Sequence, residues 1–202
     1  NLTTLTTTGT FTDCLVMNGS GTIFLIGSNT LASPTNSGIS QSSGTVQTVS
    51  GTTSISNTVG VDMTGGIANL SGFIISVGGL APSGIAQSAG TLTISNSTIS
   101  GTSGPFANVL VGPAGSTTIT NCTISGATAV ASGLIFAAAG TLASSNNTYS
   151  GNSGPGLDGT GGGTVNSTTD IFTANNGGTG VCDDYNAGPG PVSDPGTDPD
   201  DA

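Results

Sequence analysis

The sequence predicts an all-β chain wound as a single-stranded parallel β-helix, a solenoid of about seven or eight coils with 22–25 residues in each. Three observations predict it. The ten residues from Ser37 to Val46 return, with three changes, as Ser83 to Leu92. Seven marker glycines (Gly21, Gly44, Gly66, Gly90, Gly115, Gly140 and Gly163) are spaced by 23, 22, 24, 25, 25 and 23 residues, a period that belongs to stacked supersecondary units. Four apolar columns keep register with those glycines.

Five residues before the marker stand Val16, Ile39, Val61, Ile85, Leu110 and Ile135, and Asp158 breaks the column in the seventh coil. Two residues after it come Ile23, Val46, Ala68, Leu92, Thr117, Leu142 and Val165. Four after come Leu25, Thr48, Leu70, Ile94, Ile119, Ser144 and Ser167. Nine after, the column reads Thr30, Thr53, Ile75, Ile99, Ile124, Tyr149 and Phe172. Within a coil the run from Thr91 to Ser95 alternates apolar and hydroxyl residues, the period of a strand with one face inward. A coil of this length holds three such strands and three turns. No segment carries the 3.6-residue pattern of a crossover helix. Gly101, Gly126 and Gly151 close the third strand, where a sharp bend favours positive φ. At about 4.8 Å per coil the rod would be roughly 35–40 Å long.

These columns divide the chain into a β-helix over residues 1–176 and an arm or linker over 177–202. The arm carries Pro189, Pro191, Pro195 and Pro199, six of the ten aspartates and no apolar column.

Composition excludes several functions. Charged residues are 5% of the chain; there is no Lys, Arg, His or Glu, and the net charge is −10. A nucleic-acid binder must replace the counterions around phosphates, and this chain has no cationic side chain to do so. An anionic membrane surface is disfavoured for the same reason, and no apolar run approaches the ~18 residues of a spanning helix. The first residue is Asn1, which fits a processed or excised segment, and the Ser- and Thr-rich, charge-poor surface fits an extracellular product or one displayed on a cell or virion surface.

The run Gly90–Gly104 and its echo Ser116–Gly126 resemble the repeats of secreted right-handed parallel β-helix proteins, including bacterial surface proteins and autotransporter passengers. The resemblance covers about residues 14–175. It implies a right-handed coil, and it does not imply an activity, because the same rod serves adhesins, tail spikes, lyases and ice-binding proteins.

Each candidate site has a plainer reading beside it. Polysaccharide lyases and pectin hydrolases of this fold rely on cations that are missing here. Glycoside hydrolysis by two carboxyl groups alone needs them about 5–9 Å apart, whereas Asp13, Asp62, Asp158 and Asp170 are scattered over different positions. That leaves Asp183 and Asp184 as the pair to test, and the expectation is no enzyme, no metal and no cofactor. Asp194, Asp198, Asp200 and Asp201 form no ion-wrapping loop and read as a solvated tail.

N-glycosylation sequons start at Asn1, Asn18, Asn69, Asn96, Asn121, Asn146 and Asn166. Asn96, Asn121 and Asn146 lie 25 residues apart and read first as an asparagine ladder at one turn of successive coils. Thr22, Thr45, Thr91, Thr141 and Thr164 form one outward column, but its neighbour (Phe24, Gln47, Asn69, Thr93, Thr118, Ala143, Asn166) is mixed, so an ice-binding plane reads as ordinary strand surface. Cys14 and Cys122 are about four coils apart, too far for a disulfide, while Cys14 and Cys182 sit at opposite ends and are placed to join the end of one rod to the start of another.

The expected function is therefore a non-catalytic structural subunit of an extracellular filament, fibre or surface layer. Its partners are copies of itself, joined end to end or by donated arms. The alternative is a carbohydrate- or ice-binding, adhesin-like module, and a glycan-cleaving tail spike comes last.

Overall fold

The computed structural model describes residues 6–7, 11–32, 34–57, 59–78, 83–103, 107–129, 131–136, 141–159, 163–175, 185–186 and 192–193. They form an all-β parallel solenoid with no helix, and every strand pairing is parallel. The chain makes about six well-formed turns, slightly fewer than the seven or eight expected, and two-residue strands (Thr6–Thr7, Leu157–Asp158, Tyr185–Asn186, Val192–Ser193) extend the faces toward both ends.

Three faces run along the rod. The first is built from β2 (Phe11–Met17), β5 (Pro34–Gln41), β8 (Val59–Met63), the start of β11 (Ile85–Ser95), the start of β13 (Ala107–Thr120), β15 (Ser132–Phe136), β18 (Leu157–Asp158) and β21 (Tyr185–Asn186). The second takes β3 (Thr22–Ile26), β6 (Thr45–Ser50), β9 (Ile67–Ser71), the ends of β11 and β13, β16 (Thr141–Ser145), β19 (Thr164–Thr168) and β22 (Val192–Ser193). The third is β1 (Thr6–Thr7), β4 (Asn29–Ala32), β7 (Thr53–Asn57), β10 (Phe73–Val77), β12 (Thr98–Ser100), β14 (Thr123–Ser125), β17 (Thr148–Ser150) and β20 (Ile171–Thr173).

Two of the four apolar columns stand as aligned, and two shift at the ends of the rod. On the first face the inner column is Leu15, Ile39, Val61, Ile85, Val109, Leu134 and Leu157, so Val16, Leu110, Ile135 and Asp158 occupy the neighbouring outward column. Val16 is 54% exposed. Two irregularities cause the shift: between Met17 and Thr22 the first coil holds one residue more than Gln41 to Thr45 of the second, and between β11 and β13 Gln87 pairs with Val111 but Ala89 with Ala114, so counting back from Gly21 or Gly115 lands one residue late. The seventh coil is not broken after all: Leu157, fully buried, fills it. On the third face Leu31 and Ile55 replace Thr30 and Thr53, because β3 and β6 fall out of register between Leu25 and Ile26 and leave Val49 exposed.

The repeated decapeptide has a physical reason two coils deep. At the corner between the first and second faces Met17, Gln41, Met63 and Gln87 stack in turn, all buried. Gln41 Nε2 donates to Gly44 O and to Ile67 O of the next coil; Gln87 Nε2 donates to Gly90 O and Ser116 O, the equivalent atoms. Each glutamine thus ties its own turn to the coil above, and thioethers fill the coils between. Gly44 and Gly90 take φ of +65° and +87°, and a Cβ on either would strike the methionine of the coil below.

This corner also explains why Thr117 interrupts an apolar column. Its hydroxyl donates to Gln87 Oε1. In the coil above Gln41 the equivalent position is Ala68, and Gln41 Oε1 is buried without a hydrogen-bond partner. Thr117→Val is expected to cost about 1–3 kcal/mol by orphaning Gln87 Oε1, and Ala68→Thr to gain up to about 1 kcal/mol by satisfying Gln41. Urea unfolding of both variants checks the pair, and equal effects of the same sign would contradict it.

Candidate functional site

Charge, sequons, hydroxyl columns and the two rod ends are the features that could meet a partner. Asn18, Asn96, Asn121, Asn146 and Asn166 are exposed and Asn69 is half-buried; Asn1 lies outside the described residues. Asn96, Asn121 and Asn146 hold φ of 49°, 54° and 55°, the left-handed region that asparagine enters more readily than other side chains. Their backbone N–H groups donate to Thr120, Ser145 and Thr168 of the next coil. Asn96 Nδ2 donates to Ser71 Oγ at 3.3 Å, and Asn146 Oδ1 accepts from Thr169 Oγ1 at 2.7 Å. The turn conformation, in addition to any side-chain ladder, thus accounts for asparagine at these places.

A second stack, one residue further along the chain, lies inside the rod and escaped the sequence reading. Asn29, Thr53, Phe73, Ser97, Cys122, Asn147 and Asp170 occupy one corner position in successive coils, and all are buried. The sheet ladder breaks at this corner, so side chains accept what backbone carbonyls cannot. Phe73 N donates to Ser97 Oγ, Cys122 N to Asn147 Oδ1 and Asn147 N to Asp170 Oδ1. The fully buried Asp170 also accepts from Asn147 Nδ2 at 3.1 Å and from Ser167 Oγ at 2.6 Å. That gives the carboxylate neutral donors in place of a cation. At the next corner Asn152 Oδ1 accepts from Ala127 N, and Asn152 N and Nδ2 both donate to Asn175 Oδ1. The interior stack from Phe73 to Asp170 does stand seven residues after the marker glycine in five consecutive coils. Its changing residue types hid it.

Beside that stack, burial pushes the Cys122 thiol from its ordinary 9.0 up to about 11 and the Tyr149 phenol well above 10, with the Asp170 charge adding to both. Tyr149 exchanges a 2.8 Å hydrogen bond with Ser144 and stacks on Phe172 at 5.0 Å. Raised acid pKa values stabilise the fold below the unfolded-state pKa and lose that contribution as pH rises through the folded one. The rod is therefore expected to weaken between about pH 9 and 11, at up to ~1.4 kcal/mol per pH unit for each group. Cys122→Ala should flatten the lower part of that slope in pH-dependent thermal unfolding, and an unchanged slope would refute the assignment.

Asp13 and Asp62 both lie on the first face. Asp13 Oδ1 accepts from Ser37 N and Asn36 Nδ2. Asp62 is held above its usual carboxylate range by partial burial first and by the Asp13 charge second. Asp158 shares the outward column of Asp62 several rungs away, and Asp170 faces inward, so the four aspartates do not converge. Among the described residues no group of three or more His, Cys, Asp or Glu could hold a metal ion. Asp183, Asp184, Cys182 and the aspartates of the tail lie outside the described residues. No helix among the described residues is long and apolar enough to cross a membrane.

Two outward columns of the third face carry hydroxyls side by side over three coils: Thr98 with Ser100, Thr123 with Ser125, and Thr148 with Ser150. The sequence signal was the recurring Thr-x-Ser around the inward Ile99, Ile124 and Tyr149. On the second face the Thr22 column also contains Ile67 and Ser116, and its neighbour is mixed, as expected.

Part of the expected C-terminal arm joins the rod: β21 pairs with β18 and β22 with β19. At the other end β1 pairs with β4, while β2 and β3 open their faces with no strand before them among the described residues. Leu15 and Ile23, in that first coil, are only partly buried. Comparison with protein-family models, with curated proteins and with solved structures finds no match, so the parallel solenoid read from the chain itself is the level at which its resemblance to secreted β-helix proteins stands.

Proposed function

We propose that the chain is a non-catalytic structural subunit of an extracellular filament, fibre or surface layer, and that rods join end to end. The observation that carries this reading is the stack itself: three parallel faces run from coil to coil over the described residues, and Leu15 and Ile23 at its first coil are only partly buried. The end edges of such a stack template the addition of another strand unless charge or a cap blocks them. This chain brings no basic side chain to block them, and 5% charge overall. Purified protein is expected to form regular polymers, with light scattering that rises with concentration. A monomer that persists at high concentration would overturn the reading. A Cys14–Cys182 bridge between subunits would add ladders on non-reducing gels that collapse on reduction.

A second reading, a glycan- or ice-binding face, draws on the paired hydroxyl columns at Thr98–Ser100, Thr123–Ser125 and Thr148–Ser150. Thermal hysteresis and glycan-array binding separate it from the first, and replacing Thr123 by Lys should abolish either signal.

A further inference from the structure

The turn between β2 and β3 carries an asparagine followed by a glycine, Asn18–Gly19, and Asn18, Gly19 and Ser20 are all exposed. A Cβ placed on Gly19 would meet nothing within 4 Å, so the peptide unit joining the two residues has open space around it. The turn is tied to the second coil through its carbonyls: Ser42 N donates to Met17 O at 2.9 Å, Ser43 Oγ to Gly19 O at 3.3 Å and Thr45 N to Gly21 O at 3.0 Å. Among the described residues no hydrogen bond holds the Gly19 nitrogen.

We propose that Asn18 is a site of spontaneous covalent modification, at which the backbone nitrogen of Gly19 closes on the Asn18 side chain and converts it to aspartate and isoaspartate. Gly19 N gives up its proton and bonds to Asn18 Cγ, the Cγ–Nδ2 bond breaks, and the amide leaves as ammonia with that proton. Water then adds at either carbonyl of the five-membered imide and opens it, with nothing oxidised or reduced. A following residue without a Cβ leaves the approach of the nitrogen unhindered.

The fold withholds the same reaction from other asparagines at the surface. After Asn121 the nitrogen of Cys122 donates to Asn147 Oδ1, and after Asn146 the nitrogen of Asn147 donates to Asp170 Oδ1, each at 2.8 Å and buried. A nitrogen so engaged must strand a buried acceptor before it can attack. Asn69 and Asn166 lie within β9 and β19, where the ladder holds the strand that follows them.

Either product adds a negative charge to a chain that has no cationic side chain. Isoaspartate also lengthens the backbone by one methylene between Met17 O and Gly19 O, two of the acceptors that tie the turn down. Loss of Nδ2 destroys the Asn18 sequon, so this modification and a glycan exclude each other at that residue.

The test uses the full chain carrying Asn176→Gln, which removes the Asn176–Gly177 pair outside the described residues. It is held at mildly alkaline pH, native and in urea, and its peptic peptides are followed by mass spectrometry. In the native protein the Asn18 peptide is expected to accumulate aspartate and isoaspartate, with an acidic shift on isoelectric focusing, while the Asn121 and Asn146 peptides keep their amides. Hydroxylamine, which attacks the imide, should cut the native chain between Asn18 and Gly19. Gly19→Ala should suppress both conversion and cleavage. A native Asn18 that keeps its amide while the urea-unfolded chain loses it would overturn the proposal. So would native Asn121 and Asn146 converting as fast as Asn18, an unchanged rate in Gly19→Ala, or a glycan on Asn18 in material from the native source.

Discussion

Replacing Asn147 by alanine is expected to cost about 3–5 kcal/mol, close to the total stability of many domains. Its Oδ1 accepts from Cys122 N at 2.8 Å, and its Nδ2 donates to Ile119 O, Ser144 Oγ and Asp170 Oδ1. Alanine strands the buried Cys122 N–H and strips a donor from a carboxylate with no solvent exposure. Each orphaned group costs about 1–3 kcal/mol, and more when charged. The neighbouring Asn146 supplies the control: it is exposed and at φ 55°, so Asn146→Gly should change stability by no more than a few tenths of a kcal/mol. Equal midpoints for the two variants in urea would show that the interior stack does not hold the coils together.

Gly60→Ala is expected to be comparably damaging, at about 3 kcal/mol or more. Gly38, Gly60 and Gly84 stack immediately before the inner column of the first face, where Ile55, Ile75 and Ile99 of the third face pack against them. A Cβ on Gly60 would stand 2.5 Å from Gly84 O and 2.5 Å from Ile75 Cγ2. The carbonyl belongs to the sheet ladder, where it accepts from Val61 N, and cannot retreat without breaking that bond. One coil beyond Gly84 the same place holds Asn108, whose Oδ1 accepts from Thr102 N and whose Nδ2 donates to Ser125 O. The wall there is made of hydrogen bonds, so Asn108→Gly is expected to lose stability by a different route, with the buried Thr102 N–H stranded and no clash, since Ser125 O keeps its bond from Gly101 N. Thermal unfolding of Gly60→Ala within 1 °C of the parent would refute the packing argument.

Strand, coil and inward direction were legible wherever an apolar residue recurred at a fixed offset from its glycine. Val46, Ala68, Leu92 and Leu142 needed nothing more, and even Thr117 stayed in line. Legibility failed where an extra residue entered one coil. The Met17–Thr22 turn, Val49 and the Gly112–Pro113 segment each shift the count by a residue or two, and a period-two pattern turns any odd shift into an inversion of inside and outside. That is how Val16 and Leu110 came to be placed inward. The interior polar stack failed to show for another reason: its positions are united by a backbone that lacks ladder partners at a corner, which Ser97, Asn147 and Asp170 each satisfy with different atoms.

The sequence by itself determined that this chain winds into a parallel β-solenoid, that its surface bears hydroxyls in place of charge, and that no cationic chemistry is available to it. Those conclusions follow from period and composition, which are properties of order along the chain. Only the tertiary structure decided which column faces inward at each end and that Asp170 is enclosed among neutral donors. Those depend on register between coils, and register is fixed by bulges, corners and buried hydrogen bonds that join residues more than twenty positions apart.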